Sequence, residues 1–325
     1  MKEISILEIE GFRLGNREDK ENGTGCTVIF AENGAVPGVD VRGGAPGTRE
    51  TDLIRSEEMM PEINAVVLAG GSAYGLEAAS GVMAFLEEHD IGFDTGFSKV
   101  PIVPSAVLFD LAYKNPKVRP DKEMGYEAMA MAMAMEDNYK DGSFGAGRGA
   151  TVGKIMGVGA SMKSGIGSYA IETNGLKIGA VVAVNAFGSI YEGNRLIAGP
   201  LMDGQVLSTE ELMIQGMEAG FKGNTTIGCV ISNAKLTKSG ANKMASMGHD
   251  GFARAIRPIH TMVDGDTLFF MAKGEQEVDL NILGTLTAIV VEKAVHAAIK
   301  SVMEDELLKT YHDIFSSTGD NDKNP

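Results

Sequence analysis

The 325-residue sequence has no tryptophan and only two cysteines, Cys26 and Cys229. Two cysteines in separate apolar runs make neither a disulfide framework nor a repeated metal-ligand spacing, and both read as small apolar fillers inside strands. Positive charge is also scarce. The 29 Lys and Arg face 44 Asp and Glu, for a net charge of −15, which argues against a nucleic-acid partner, since phosphates need clustered cations. An acidic field suits a substrate with a free amine. No run of about eighteen uninterrupted apolar residues is present to span a bilayer. The opening residues, MKEISILEIEGFRLGN, lack the charged and then apolar blocks of a signal peptide, so the expectation is a cytoplasmic protein with no membrane partner. The five histidines, His89, His249, His260, His296 and His312, show no metal-like pairing, and no metal or cofactor is expected. His296 reads as a core residue; His260, although close to two carboxylates, reads first as structural.

What is abundant is apolar surface and glycine. With 44% hydrophobic residues and 42 glycines, the chain can fill a sizeable core, and no Pro-, Ser- or charge-rich linker divides it, so one domain over 1–325 is expected. Strands are predicted at Ile4–Ile9, Cys26–Phe30, Ala65–Leu68, Ser168–Ile171, Lys177–Val184, Ile227–Ile231 and Thr267–Met271, where β-branched and aromatic residues sit between Gly, Asn or Asp. Thr173-Asn174-Gly175 signals a hairpin. Helices are predicted at Ala73–Glu88, Met124–Met135, Thr209–Ala219, Thr237–Ile256 and Asn281–Met303. The AMAMAMAMED run at 128–137 alternates, but Ala and Met favour helix and neither is polar, so it reads as core helix rather than strand or thioether metal site. Strands and helices mix without a βαβ rhythm, which favours a layered α+β sandwich. The excursion at 199–224 places an acidic helix between glycine-rich ends, and the polar tail Ser316–Pro325 reads as disordered.

Two glycine-rich motifs fall short of familiar phosphate loops. In AGGSAYG, Gly70, Gly71 and Gly75 miss the G-x-G-x-x-G spacing, and Tyr74 stands where a nucleophile elbow needs glycine. GAGRGATVGKI ends in Gly153-Lys154 but has Arg148 and Ile155 at positions that need Gly and Ser or Thr. Both predict tight turns beside something the backbone approaches closely. Asp264-Gly265-Asp266 lacks the remainder of a calcium loop. Two carboxylates this close repel if both are buried, so a cation is expected to face at least one of them.

The segment GNTTIGCVISNA, 223–234, sets a turn-like Gly223-Asn224 and two threonines before a strand. A cut between Asn224 and Thr225 would give Thr225 a free α-amine, with an ordinary pKa of about 7.7–8.0, beside its own hydroxyl. That amine can take the hydroxyl proton and later hand it to a leaving amine. The same hydroxyl can make the cut by attacking the carbonyl of Asn224. As residues alone, Thr225 and Thr226 read first as ordinary strand formers.

Eight blocks, running in order from NGTGCTVI through VDVRGGAPGTRETDLI, LAGGSAYGLEAASGV, VPSAVLFDL, GAGRGATVGK, VVAVNAFG and GNTTIGCVISNAKL to HTMVDGDTLF, resemble the self-cleaving DmpA-type aminopeptidases. This family includes β-peptidyl aminopeptidases and nylon-oligomer (6-aminohexanoate-oligomer) hydrolases, and the chain is nearest the nylon-oligomer branch. The resemblance implies an αββα sandwich of the N-terminal-nucleophile type, similar also to ornithine acetyltransferases. It implies cleavage into 1–224 and 225–325, a homo-oligomer of cleaved pairs, and an amide or peptide substrate with a free amine. It places the nucleophile at Thr225 and lines the site with Lys154, Asn185, Asp264 and Asp266. In these roles Asn185 donates to the oxyanion, Lys154 adds positive charge, and the aspartates hold the ammonium end or orient the new amine. One position departs: Phe109 stands where the nylon-oligomer hydrolases carry tyrosine, and Tyr74 or a main-chain amide is the candidate to replace the lost hydroxyl. Two alternatives stay open, acyl transfer of the ornithine acetyltransferase type and nonenzymatic small-molecule binding.

Overall fold

The computed structural model describes residues 1–134, 138–218 and 223–315. Its organising element is one long strand, β3 (Thr24–Val41), preceded by β1 (Lys2–Ile4) and β2 (Phe12–Asp19). The first half of β3 pairs with β2 and with β4 (Ile63–Ala69), which runs parallel to β5 (Ser105–Val107). At Asn33 and Gly34 the backbone takes positive φ, and the register shifts. The second half of β3 therefore leaves that sheet and pairs with β9 (Thr267–Gln276) in another. This other sheet runs in the order β1, β6 (Ile166–Thr173), β7 (Leu176–Asn185), β8 (Thr225–Ala234), β9, β3. Only β8 and β9 are parallel neighbours within it.

Side chains alternate across each strand and sort the core into layers. Val181, Ala183, Ile227, Cys229, Ile231, Phe269 and Met271 of one sheet meet Ile29, Val66, Leu68 and Ala106 of the other. The opposite faces are covered by helix pairs. Cys26, Val28, Phe30, Val67 and Ala69 pack against α1 (Ala78–Glu88) and α2 (Lys122–Met133). Val182, Val184, Val230, Leu268 and Phe270 pack against α3 (Lys238–Ala255) and α4 (Leu280–Lys300). The result is the expected αββα sandwich. The helices start on side-chain caps: Asp121 accepts from Met124 N, Thr237 from Gly240 N, and Asp279 from Asn281 N and Ile282 N, each replacing a bond the first turn cannot make internally. Helix α4 is long and apolar enough to cross a membrane, but 67% of its apolar window is buried in the fold.

Most expected elements are present, with revealing exceptions. The Asn174-Gly175 turn closes β6 onto β7, with both residues at positive φ and Thr173 opposite Leu176. The strand expected over Ile4–Ile9 stops at Ile4. Ser5 and Glu8 form a capping box there, Glu8 accepting from Ser5 N and Ser5 from Leu7 N, and Ile6–Glu8 becomes a 3-10 turn. The helix expected from Ala73 begins as a 3-10 turn, Ser72–Glu77, before α1. The helix over Thr209–Ala219 ends at Ile214, just before Gly216 at φ 95°. Met135, Glu136, Asp137, Ala219 and the tail Ser316–Pro325 lie outside the described residues.

Candidate active site

The parity that builds the inter-sheet layer also assembles the site at its end. Thr225 shares the face of Ile227 and Cys229, and Asn185 shares that of Val181 and Ala183. The two are register partners across β7 and β8. Thr226 has the opposite parity. On the other side of β8, the loop before β9 brings Asp264, Gly265 and Asp266 against residues 224–226. Asn224 N donates to Val263 O at 3.2 Å, Gly265 N donates to Asn224 O at 3.0 Å, and Thr226 N donates to Asp266 Oδ1 at 2.7 Å. The Thr225 hydroxyl donates to the carbonyl oxygen of Asn224, the residue before it. Thr225 is 4% exposed and Asn224 1%. Gly223, at φ 146°, lies on the Phe109 ring, where a side chain would collide with it.

Five of the expected residues therefore converge: Asn224, Thr225, Asn185, Asp264 and Asp266. Lys154 joins them through Asn185, its Nζ donating to Asn185 O at 2.8 Å and Oδ1 at 2.7 Å. Thr151 N also donates to Asn185 Oδ1 at 3.0 Å. The Thr151 N–H, an obligate donor, fixes the amide's orientation, and Asn185 Nδ2 then donates to Phe109 O at 2.8 Å. The amide expected to face an oxyanion is thus engaged with Phe109. Burial pushes the Lys154 ammonium well below the usual lysine range, against the pull of Asp264, Asp110 and Asp266. The charge expected at Lys154 is opposed by its own desolvation.

The two aspartates are satisfied mainly by amides rather than by a cation. Asp264 accepts from Phe187 N at 3.3 Å, Thr261 N at 3.1 Å and the Thr261 hydroxyl. Burial, and after it the neighbouring Asp266 carboxylate, pushes Asp264 up to about 6. The Asp266 carboxylate accepts from Thr226 N and, at its second oxygen, from His260 N at 3.0 Å, with His260 Nδ1 at 2.9 Å from that oxygen. His260 adopts φ 59°, and its ring packs edge-on against buried His249, 4.7 Å between centroids. It belongs to the site's support; its nearness to DGDT in sequence was the one available signal.

Tyr74 does not join the cluster. It is 61% exposed, with the Arg119 guanidinium stacked 4.0 Å from its ring centroid. The AGGSAYG turn instead wraps a buried carboxylate: Gly71 N and Thr24 Oγ1 each donate to Asp110 at 2.7 Å, and burial pushes Asp110 up to about 6. Asp110 thereby ties this turn to the segment whose Phe109 carbonyl receives Asn185. The GAGRGATVGKI turn is held by buried Lys163, which donates to Gly147 O at 3.3 Å, Ala150 O at 3.0 Å and Ser164 O. A groove of about 710 Å³ lies elsewhere, lined by Arg13, Glu32, Glu62, Asp90 and Asp94 among others, and includes none of the Thr225 cluster. The space beside the cluster, lined by Phe109, Asp110, Thr151 and Lys154, is too narrow to admit a water-sized sphere. Of the two, it is the latter region where hydroxyl, carbonyl and buried carboxylates converge, so site chemistry outweighs groove size.

Known proteins resemble the chain over most of its length. The chain is 40% identical to an uncharacterized aminopeptidase of Mycobacterium leprae over 84% of its own length and 79% of the relative's. It is 31% identical to a 6-aminohexanoate-oligomer endohydrolase of Kocuria sp., covering 92% and 87% of the two chains. Among solved structures, the L-aminopeptidase D-Ala-esterase/amidase of Ochrobactrum anthropi, described as a variant of the Ntn-hydrolase fold, superposes with a TM-score of 0.69. Identity there is 16%, and the match covers 92% of this chain and 86% of that one. A Burkholderia sp. β-aminopeptidase gives a TM-score of 0.68 at 16% identity, covering 98% and 94%. Residues 5–311 match peptidase family S58, and with this extent of agreement the chain belongs to that family of amide-bond hydrolases.

Proposed function

We propose that this S58 hydrolase is made as a precursor, cuts itself between Asn224 and Thr225, and then uses Thr225 as an acylated nucleophile. One observation carries the reading: the Thr225 hydroxyl is hydrogen-bonded to the carbonyl oxygen of Asn224 inside a buried ring of Asn185, Asp264 and Asp266. In the precursor the nitrogen of Thr225 is a peptide nitrogen and cannot act as base, so the first proton must pass to another group. Asp264, Asp266 and Lys154 are the titratable groups around it. After the cut, the α-amine of Thr225 takes over that role.

In this reading the substrate is an amide, peptide or oligomer with a free amine; relatives are named as an aminopeptidase and a 6-aminohexanoate-oligomer endohydrolase. Asp264 and Asp266 supply the negative field for its ammonium end, and Lys154 fixes Asn185 beside the nucleophile. The backbone of 223–224 covers Thr225 before the cut, which accounts for a nucleophile that is 4% exposed in the intact chain. Denaturing electrophoresis with mass spectrometry tests the proposal. Wild-type protein should give chains 1–224 and 225–325, and Thr225→Ala a single uncut chain without amidase activity. An active wild-type protein that stays whole would refute it.

A further inference from the structure

We infer that the main-chain N–H of Gly265 is the oxyanion donor for the self-cut at Asn224–Thr225. The inference rests on the Thr225 reading above and adds the group that stabilises its transition state. Attack by Thr225 Oγ1 forms a bond to the carbonyl carbon of Asn224 and drives the carbonyl electron pair onto its oxygen. That oxygen already accepts from Gly265 N at 3.0 Å, and donors fixed 2.7–3.1 Å from a developing oxyanion stabilise it without reorganising. Collapse of the intermediate breaks the bond to the Thr225 nitrogen. The nitrogen gains the proton lost by the hydroxyl, and Asn224 is left as an ester on Thr225. Water then hydrolyses the ester, releasing the Asn224 carboxylate and restoring the hydroxyl.

Other donors near the bond are occupied or face elsewhere. Thr226 N has its single hydrogen on Asp266, Asn185 Nδ2 is turned toward Phe109 O, and Lys154 Nζ is turned toward Asn185, whereas Gly265 N alone among these nitrogens already points at the Asn224 oxygen. The loop grips residue 224 on both sides, through Asn224 N to Val263 O and Gly265 N to Asn224 O, with Asn224 bridged to Asp264. The same geometry explains why glycine separates the two aspartates. A β-carbon at 265 would stand 2.8 Å from Thr225 Oγ1 and 2.7 Å from Ala45 O, inside normal contact distance, so a side chain there would push the amide off the carbonyl or displace the nucleophile.

The test replaces glycine 265 with glycolate by cell-free translation, which turns the 264–265 amide into an ester and deletes this one N–H. The cut is followed by electrophoresis and folding by circular dichroism. Removing one such donor slows acyl chemistry by on the order of 100–1,000-fold, so the folded ester protein should cut at least about 100-fold more slowly than wild type. Cutting at nearly the wild-type rate would overturn the Gly265 assignment and leave the Thr225 reading standing. A wild-type chain that never cuts, or a Thr225→Ala chain that does, would overturn both. If the ester protein does not fold, amide exchange of ¹⁵N-glycine-labelled Thr225→Ala precursor decides. A strongly protected Gly265 amide supports the assignment, and one exchanging at the rate of a free amide overturns it.

Discussion

Replacing Asp266 by Asn in a Thr225→Ala background measures the support under the nucleophile without the complication of cleavage. Asp266 is fully buried and accepts from Thr226 N, His260 N and His260 Nδ1. An asparagine has one acceptor oxygen. Turned toward Thr226 it presents its NH2 to the His260 amide, and turned the other way it presents NH2 to the Thr226 amide. Either way a buried backbone N–H loses its acceptor, at about 1–3 kcal/mol, and the surviving bonds lose their charge assistance, about 1 kcal/mol more. Against this, removing the Asp266 charge relieves Asp264, whose carboxyl it helps push up. That relief is a secondary contribution, since burial is the larger cause of the raised Asp264 pKa. The hydrogen-bond loss wins, leaving a net destabilisation of about 2–3 kcal/mol. At roughly 2–4 °C per kcal/mol for larger domains, the melting temperature should fall by about 4–12 °C. Differential scanning calorimetry of the two precursors reads this directly. A melting temperature within about 1 °C of the parent, or above it, would show that Asp266 does not hold the strand. Restored to a Thr225 background, Asp266→Asn should also slow the cut, because the peptide following the scissile bond is no longer anchored.

Other outcomes follow from individual contacts. Asp264 is raised from 3.8 to about 6, so the folded protein binds more protons than the unfolded chain between these values, and stability falls as pH rises through that window. In the Thr225→Ala precursor, Asp264→Asn removes this slope: relative to its parent it should gain about 2 kcal/mol between pH 4 and pH 7 in urea melts, at about 1.4 kcal/mol for each tenfold change in proton affinity. Lys163→Met should lower stability by about 3 kcal/mol, since three hydrogen bonds are lost at about 1 kcal/mol each, although Gly147 O and Ala150 O keep Ala150 N and Ser164 N as donors; an unchanged urea midpoint would contradict the staple role of Lys163. The Thr226 hydroxyl is buried without a hydrogen-bond partner among the described residues. Thr226→Val should therefore be neutral or stabilising by about 1 kcal/mol with the cut intact, whereas Thr225→Val should leave the chain whole on the same gel.

Local signals in the sequence were largely obeyed because they concern neighbours. Asn174-Gly175 makes its hairpin, alternation in β7, β8 and β9 matches the two faces of a sheet between layers, and Asp279 caps α4. The misreading at Ile4–Ile9 was a contest between two local signals. An apolar run suggested strand, but Ser5-Ile6-Leu7-Glu8 also spells a capping box, and its paired bonds prevailed. In the site, the resemblance supplied which residues gather but not how they are bonded. Asn185 donates to Phe109 O because Lys154 and Thr151 claim its oxygen from segments more than thirty positions away. Asp110 carries no signal of its own within VPSAVLFDL, and only the fold reveals that the AGGSAYG turn closes around it. His260 and Asp266 are close in sequence, but their contact depends on a positive φ at His260 that no spacing rule announces.

Register decides which of two adjacent threonines can react. A strand sends successive side chains to opposite faces, so a shift of one residue would exchange Thr225 and Thr226 between the inter-sheet layer and the helix layer. Strand β8 is held against such a shift from both sides, by Asn185 opposite Thr225 in β7 and by Thr267 opposite Ile227 in β9. Each of these contacts continues into a run of apolar residues whose faces would also be exchanged. Ile227, Cys229 and Ile231 would move out of the inter-sheet core, and Gly228 and Val230 would enter it. At about 1.5–3 kcal/mol for each large side chain taken from its burial site, the slipped sheet is excluded by the core alone. The hydrophobic pattern that builds the sandwich therefore also aims the Thr225 hydroxyl at the bond before it, and the Asp266–Thr226 hydrogen bond fixes the last residue over which that aim could be lost.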